Sequence, residues 1–289
     1  MRIAAHIGVK DEVELIERVI KHLRSVGVDL FIVCDMYSTD GTAEILGSYQ
    51  SDDFRIIKIA NSEPGEVWLR RNEEAIEEIE ADWLVFLDAD EFLLPITGSL
   101  RDCLGMAYTD LLIVPRYNVP LGPDGPLLPN ELVPNRYDEV QLIVRRCPRI
   151  RDQLSSNPLI PWILSVPMPK VIVRPKRVGR LTDGMHEIIS KDASPLTSIR
   201  ATDIVIAHQA LTSSARFTRK VENIREYLAY NDSYFAGEKG WHWKRWVDLA
   251  ACGKLDHEFK SSVFSNQLVH DLRGMGVIRS AAEMLTPML

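Results

Sequence analysis

The 289 residues are 46% hydrophobic and 26% charged, an ordinary balance for a water-exposed globular chain, with room for one large domain or a core with an appended piece. A net charge of −7 argues against a general nucleic-acid binder, although local basic clusters occur. Cys34, Cys103, Cys147 and Cys252 form neither a CxxC pair nor a zinc spacing, which points to reduced thiols in a cytoplasmic protein. Residues 3–9 are too short, and broken by His6, for a signal peptide, and no apolar run approaches the ~20 residues of a membrane-spanning helix.

In chain order, residues 2–9 read as a buried strand. Asp11 and Glu14 fit a capping box before a helix on which Val13, Ile16, Val19, Ile20, Leu23 and Val26 recur at helical spacing, and Gly27 closes it. Residues 30–34 form a second strand ending at Asp35. The turn Ser38-Thr39-Asp40-Gly41-Thr42 then opens a helix through Tyr49. A third strand over 54–60 and a helix over about 66–80, burying Leu69, Ile76 and Ile79, lead to a fourth apolar strand at Trp83–Leu87. This alternation predicts an α/β fold with a doubly wound, mostly parallel sheet and right-handed crossovers that put helices on both faces.

A helix near 99–107 and a strand over 111–115 come next, and the proline-rich residues 116–135 read as a long irregular loop. Further strands are expected at 141–144, 170–174, 178–181 and 203–207. From 213 onward Phe217, Val221, Ile224 and Leu228 recur at helical spacing, which divides the chain into a domain over 1–212 and a helical extension over 213–289. Trp241, Trp243 and Trp246 read as core anchors of that extension ahead of stacking surfaces for a saccharide or a membrane-bound acceptor.

The chemistry concentrates at residues 83–92. Five apolar residues suit a strand buried on both faces, and Asp88, Asp90 and Glu91 follow at its carboxyl end, where open α/β sheets bind ligands. Carboxylates so close together repel unless a cation or hydrogen-bond donors offset them. The stretch alone leaves two readings open, a divalent-metal site holding a diphosphate and a plain acidic turn.

Four stretches in order resemble the nucleotide-sugar-dependent glycosyltransferases of the GT-A fold, closest to their family 2-like branch. These are Lys10-Asp11-Glu12 after the first strand, with Asp where the family has Asn; Asp35 through Asp40-Gly41-Thr42; Arg71-Asn72; and Asp88-Ala89-Asp90-Glu91-Phe92, the Asp-x-Asp motif. Beyond Phe92 the resemblance thins to Gly184-Met185-His186-Glu187 and to His208 with Arg216 and Lys220.

The resemblance implies sugar transfer from a nucleoside-diphosphate sugar, a UDP-sugar ahead of others, to a saccharide or lipid-linked acceptor in surface polysaccharide or glycoconjugate synthesis. An inverting course is favoured, and the setting is the cytoplasm, with contact at the inner membrane face left open. Mn²⁺ or Mg²⁺ would stabilise the leaving diphosphate. Asp90 would bind the metal directly and Asp88 through water, with His208 as a further ligand and His186 competing for that role. Asp35 and Glu12, with Asp40 in the same motif, would meet base or ribose, and Arg71 the base or a phosphate. Lys170, in a basic run that otherwise reads as a solvated face, is a candidate phosphate contact. Glu187 is the nominated general base, with Asp183, Asp138 and Glu139 as rivals. The competing functions are an inactive sugar-nucleotide-binding module and an Asp-x-Asp phosphohydrolase; Phe92 sits where the phosphohydrolase class carries Thr or Val.

Overall fold

The computed structural model describes residues 1–60, 62–145, 160–192, 194–231 and 240–286. Four strands come first, β1 (Ile3–Val9), β2 (Leu30–Asp35), β3 (Phe54–Lys58) and β4 (Trp83–Asp88), joined by helices α1 (Ile16–Ser25), α2 (Thr42–Tyr49) and α3 (Gly65–Glu77). The chain continues through β5 (Glu91–Pro95), α4 (Leu100–Gly105), β6 (Leu111–Val114), β7 (Arg116–Asn118), β8 (Leu121–Gly122), β9 (Gly125–Pro126) and β10 (Gln141–Ile143). Then follow β11 (Lys170–Val173), β12 (Val178–Leu181), β13 (Ile188–Ser190), β14 (Ser198–Arg200) and β15 (Ile204–His208). The C-terminal part holds α5 (Ser214–Asn231), α6 (Trp241–Ala251), α7 (Leu255–Ser261), α8 (Asn266–Gly274), β16 (Ile278–Ser280) and α9 (Ala281–Met284).

The main sheet runs β14-β6-β11-β4-β1-β2-β3. Strands β1 to β4 are mutually parallel, and only β11 runs against its neighbours β4 and β6. The chain winds outward from β1 to β3 and returns to the other side of β1, so its direction reverses between β1 and β4. Connections leaving such neighbours in opposite directions open a crevice at their carboxyl ends. Both strands are buried nearly throughout, and their side chains alternate between two covered faces, as their apolar runs require. Ile3, Ala5, Ile7, Trp83, Val85 and Leu87 face one core with Ile16, Val19 and Ile20 of α1. Ala4, Leu84 and Phe86 face the other with Ala75 and Ile76 of α3.

Several expectations change. Residues 116–135 are not an irregular loop: β7 pairs with β15, β8 and β9 form a small hairpin, and Arg116, Tyr117, Asn118 and Leu121 are buried. The prolines obscured this because Pro126 lies in a two-residue edge strand, where a missing N–H is tolerated. Residues 204–208, the strand expected over 203–207, lie outside the main sheet. They form the middle of a separate sheet, β5-β15-β7. The expected capping box is also absent, since α1 starts at Ile16 without a side-chain cap. Asp11 (φ 53°) instead accepts from the Thr39 N–H (2.6 Å) and the Asn223 amide (2.8 Å), and Glu14 from the Thr212 and Ser213 hydroxyls.

The C-terminal part is not purely helical, because β16 pairs antiparallel with β10. Its core is shared with earlier segments: Leu121, Ile143 and Trp162 pack with Phe217, Val221 and the buried Trp246, and half-buried Trp241 and Trp243 lie against them. Cys34, Cys103 and Cys252 are free thiols, and Cys147 lies outside the described residues.

His22 joins α1 to the second sheet. It is buried, its Nε2–H donates to the Leu93 carbonyl (2.7 Å), and its ring lies 5.8 Å from that of Phe92. Burial lowers its pKa from 6.5 to about 4. Between those values the unfolded chain holds the extra proton, so stability is complete above pH 6.5 and falls as pH drops toward 4, by about 3 kcal/mol in total. Urea unfolding of His22→Gln should therefore show a larger deficit against the wild type at pH 7 than at pH 4.5. An equal deficit at both values would contradict this role.

Candidate active site

The carboxyl end of β4 carries the first half of the site. Register pairs Asp88 with Gly8 of β1, on the crevice between the two strands. The Asp88 carboxylate is half-exposed and accepts from Lys170 Nζ (2.9 Å) and Arg116 Nη1 (3.2 Å), while its N–H donates to Glu91 Oε2 (2.9 Å). Glu91 is fully buried and accepts from the same Arg116 nitrogen (2.5 Å), whose Nε is fixed on the Met168 carbonyl (2.9 Å). Burial opposes ionisation of Asp88, but Lys170 and Arg116 outweigh it and hold the carboxyl below the usual range. For Glu91 the balance reverses: burial, reinforced by the Asp88 charge, pushes its pKa up against those two cations.

Asp90 forms the second half. It is buried, and its Oδ2 accepts from Arg216 Nη2 (2.9 Å) and Lys220 Nζ (2.6 Å). Arg216 also grips Glu12 with two nitrogens (2.5 and 2.8 Å) and donates to the Ala210 carbonyl (2.9 Å). Burial opposes ionisation of Asp90, but Lys220 and, with it, Arg216 hold the carboxyl well below the usual range. Glu12 moves up, because burial there exceeds what Arg216 and Lys220 return. Arg216 and Lys220 are four residues apart on α5 and so share one face.

The other oxygen of Asp90, Oδ1, is buried without a hydrogen-bond partner and lies 3.5 Å from His208 Nε2. Strand pairing brings His208 there: it registers with Glu91 across β15 and β5, and the Gln209 N–H donates to the Asp90 carbonyl (2.8 Å). The amide of Asn118 donates to the carbonyls of Ile163 (3.0 Å) and Ser165 (2.7 Å), which turns its own carbonyl oxygen toward His208 Nδ1 (2.8 Å). Nδ1 then carries a hydrogen, so in the neutral ring the Nε2 lone pair points at Asp90. Two lone-pair atoms facing each other without a donor suit a divalent cation, whose neighbouring ligands sit about 3 Å apart at Mg²⁺ or Mn²⁺ distances. Among the described residues no group of three or more His, Cys, Asp or Glu converges on a metal position. A cation here would therefore take its remaining ligands from substrate or water.

The other expected site residues spread around this centre. Asp35 is fully buried; one oxygen accepts from the Ser38 N–H (2.9 Å) and the other has no partner. A cavity of about 280 Å³ opens beside it, lined by Asp35, Leu46, Gly47, Gln50, Ile56 and Lys58. Arg71 is exposed and donates to the Lys58 carbonyl (3.2 Å). Asp40 organises its turn, accepting from Val13, Thr42 and Arg219. Glu12 is not open beside Asp35, since Arg216 occupies both its oxygens. Lys170 is buried on Asp88 and the Gly184 carbonyl. His186 is held through Nδ1 on the Pro169 carbonyl (2.7 Å), and burial, with Lys170 and Arg116 nearby, lowers its pKa to about 4. Glu187 is exposed and its carboxylate makes no contact with the cluster; Asp138 and Glu139 are likewise exposed, and the Asp183 side chain lies outside what is described.

Arg116 and Asn118 went unnoticed in the sequence because they fall in the proline-rich stretch. Arg216 and Lys220 had a legible signal, their shared helical face, but nothing local to name their target.

A reversal-point crevice in a mostly parallel sheet, with Asp-x-Asp at the end of the central strand, is the GT-A type of α/β fold. Residues 5–120 match the profile of glycosyl transferase family 2, so the N-terminal part of the chain is family 2-like. Solved structures with similar chains include S. aureus TarS residues 1–349, at 13% identity, covering 79% of this chain and 66% of that one with a TM-score of 0.43. The same TarS segment in complex with UDP-GlcNAc is 12% identical over 80% and 66% of the two chains, also with a TM-score of 0.43. Mannosyl-3-phosphoglycerate synthase from Rubrobacter xylanophilus is 11% identical over 79% and 74%, with a TM-score of 0.36. No curated protein sequence matches the chain.

Arg216 is the common partner of two buried carboxylates, so Arg216→Ala should destabilise the fold by about 3–5 kcal/mol. Arg216→Lys should recover only part of this, because a single ammonium cannot span both groups as the guanidinium fork does. Urea denaturation followed by circular dichroism measures both. A loss below about 1 kcal/mol for the alanine variant would show the cluster to be energetically idle.

Proposed function

We propose that the protein transfers a sugar from a nucleoside-diphosphate sugar to an acceptor hydroxyl, with Mn²⁺ or Mg²⁺ held by Asp90 Oδ1 and His208 Nε2. The observation that carries this reading is the unpartnered Asp90 oxygen facing the His208 lone pair at the mouth of the β1–β4 crevice. When bound, the cation supplies Lewis-acid stabilisation of the charge that develops on the leaving diphosphate.

The chain's own groups do the rest. Arg216 keeps its hold on Asp90 Oδ2 and so fixes the direction of Oδ1. Asn118 holds the His208 tautomer. Asp88, half-exposed and backed by Lys170 and Arg116, would accept from ribose hydroxyls or bind a cation's water. Asp35 offers its free oxygen beside the cavity to a base or ribose donor, and Arg71 lies over the same end of β3. UDP is the first nucleotide to test.

The acceptor in this reading is a saccharide, free or lipid-linked. His242 stacks on the buried Trp162 at 5.6 Å, and Trp162 stands edge-on to His208 at 6.3 Å, so aromatic packing backs His208. No helix among the described residues is long and apolar enough to cross a membrane.

A thermal-shift panel of nucleoside diphosphates with and without Mn²⁺ tests the reading. Stabilisation should appear for one base and require the metal. Asp90→Asn keeps an acceptor for Arg216 but should abolish transfer. His208→Ala should reduce Mn²⁺-supported transfer more than Mg²⁺-supported transfer, because Mn²⁺ accepts nitrogen ligands more readily. An active Asp90→Asn enzyme with unchanged metal dependence would sink the proposal.

A further inference from the structure

Four carboxylates at the site, Glu12, Asp88, Asp90 and Glu91, face four basic side chains, and three of those four are locked in place. Arg116 is held by Asp88, Glu91 and the Met168 carbonyl, Lys170 by Asp88 and the Gly184 carbonyl, and Arg216 by Glu12, Asp90 and the Ala210 carbonyl. Their side chains are 9%, 3% and 2% exposed. Lys220 differs. It is 25% exposed and has one short contact, Asp90 Oδ2 at 2.6 Å, with Glu12 at 3.9 Å. If it leaves, Oδ2 still accepts from Arg216, so Asp90 is not stripped of its partner. A four-carbon stem rooted on α5 gives the ammonium reach that the buried cations lack.

The charge count adds direction. The cluster is balanced as it stands, so a divalent cation entering between Asp90 and His208 meets a like charge already seated on the same carboxylate. A diphosphate brought in with the cation offers that displaced charge a new partner.

We propose that Lys220 is a placeholder cation on Asp90 that hands over to the donor: its ammonium leaves Asp90 as the divalent cation enters and then donates to a diphosphate oxygen. The inference rests on the metal-dependent transferase reading and adds a phosphate-binding residue to it. It implies that Lys220 opposes the metal alone and favours the diphosphate, so the two ligands bind cooperatively. A residue that only supported the fold would push both affinities the same way.

The test is Lys220→Gln in the full chain, with Lys220→Met as a second variant that keeps the stem and carries the same expectations. Mn²⁺ binding is measured without nucleotide by electron paramagnetic resonance, and UDP binding is measured by calorimetry at saturating Mn²⁺. Mn²⁺ alone should bind several-fold more tightly to the variants, while UDP should bind about tenfold more weakly. Lys220→Arg, which retains the charge, should hold UDP close to the wild-type affinity. Unchanged or weaker Mn²⁺ binding in both neutral variants, or unchanged UDP binding, would overturn the role of Lys220 and leave the transferase reading standing. A wild-type protein that binds no nucleoside diphosphate of any common base would overturn both.

Discussion

Burying carboxylates at the end of the central strand is the constraint on which the rest of this structure depends. Glu12, Asp90 and Glu91 are nearly or fully inaccessible, and isolated charges of that kind would not remain ionised in a protein interior. They are tolerated because basic side chains arrive from three separate segments: Arg116 on β7, Lys170 on β11, and Arg216 with Lys220 on α5. Buried ion pairs add little net stability over an apolar packing, but they fix position well, since a misplaced partner leaves a bare charge. The second sheet, the antiparallel strand β11 and the first C-terminal helix are thus tied to one electrostatic requirement. The site is assembled by the same contacts that close the molecule.

Geometry at Asp90 follows from a local reversal of the chain. Strand β4 ends, the chain turns through Ala89 and Asp90, and β5 runs back under α1 to pair with β15. His208 therefore reaches Asp90 through strand register rather than through a flexible loop. Asn118 on the neighbouring β7 then sets which ring nitrogen stays open. Three strands thereby define two lone pairs to within the precision of a hydrogen-bond ladder, which is what a preorganised cation site needs.

The first four strands and their helices were readable because each is a continuous apolar run or a clear helical stripe, and both cores need those residues. The acidic stretch stood out because three carboxylates follow five apolar residues, and the motifs before it, not the stretch itself, marked it as an Asp-x-Asp. Strand β5 was not, because Phe92-Leu93-Leu94 follows so closely on the acidic turn that nothing marks a new element. Arg116 was hidden by prolines on either side of it, and its partners lie 25 and 28 residues back. Glu12 looked like a nucleotide contact until Arg216, 204 residues later, proved to occupy it. Long-range charge pairing leaves no local periodicity, so spacing alone could not reveal it.

That separation has a further consequence, for the order in which the molecule is made. Strands β1 to β4 leave the ribosome early and can pair among themselves, but Glu12 has no counter-charge until Arg216 emerges 204 residues later. At common synthesis rates this delay is on the order of ten to forty seconds. Throughout it, hydration must stand in for the missing guanidinium, so the carboxyl edge of the nascent sheet stays wet and open. Sealing of the crevice is therefore a late event in biosynthesis, timed by the arrival of α5.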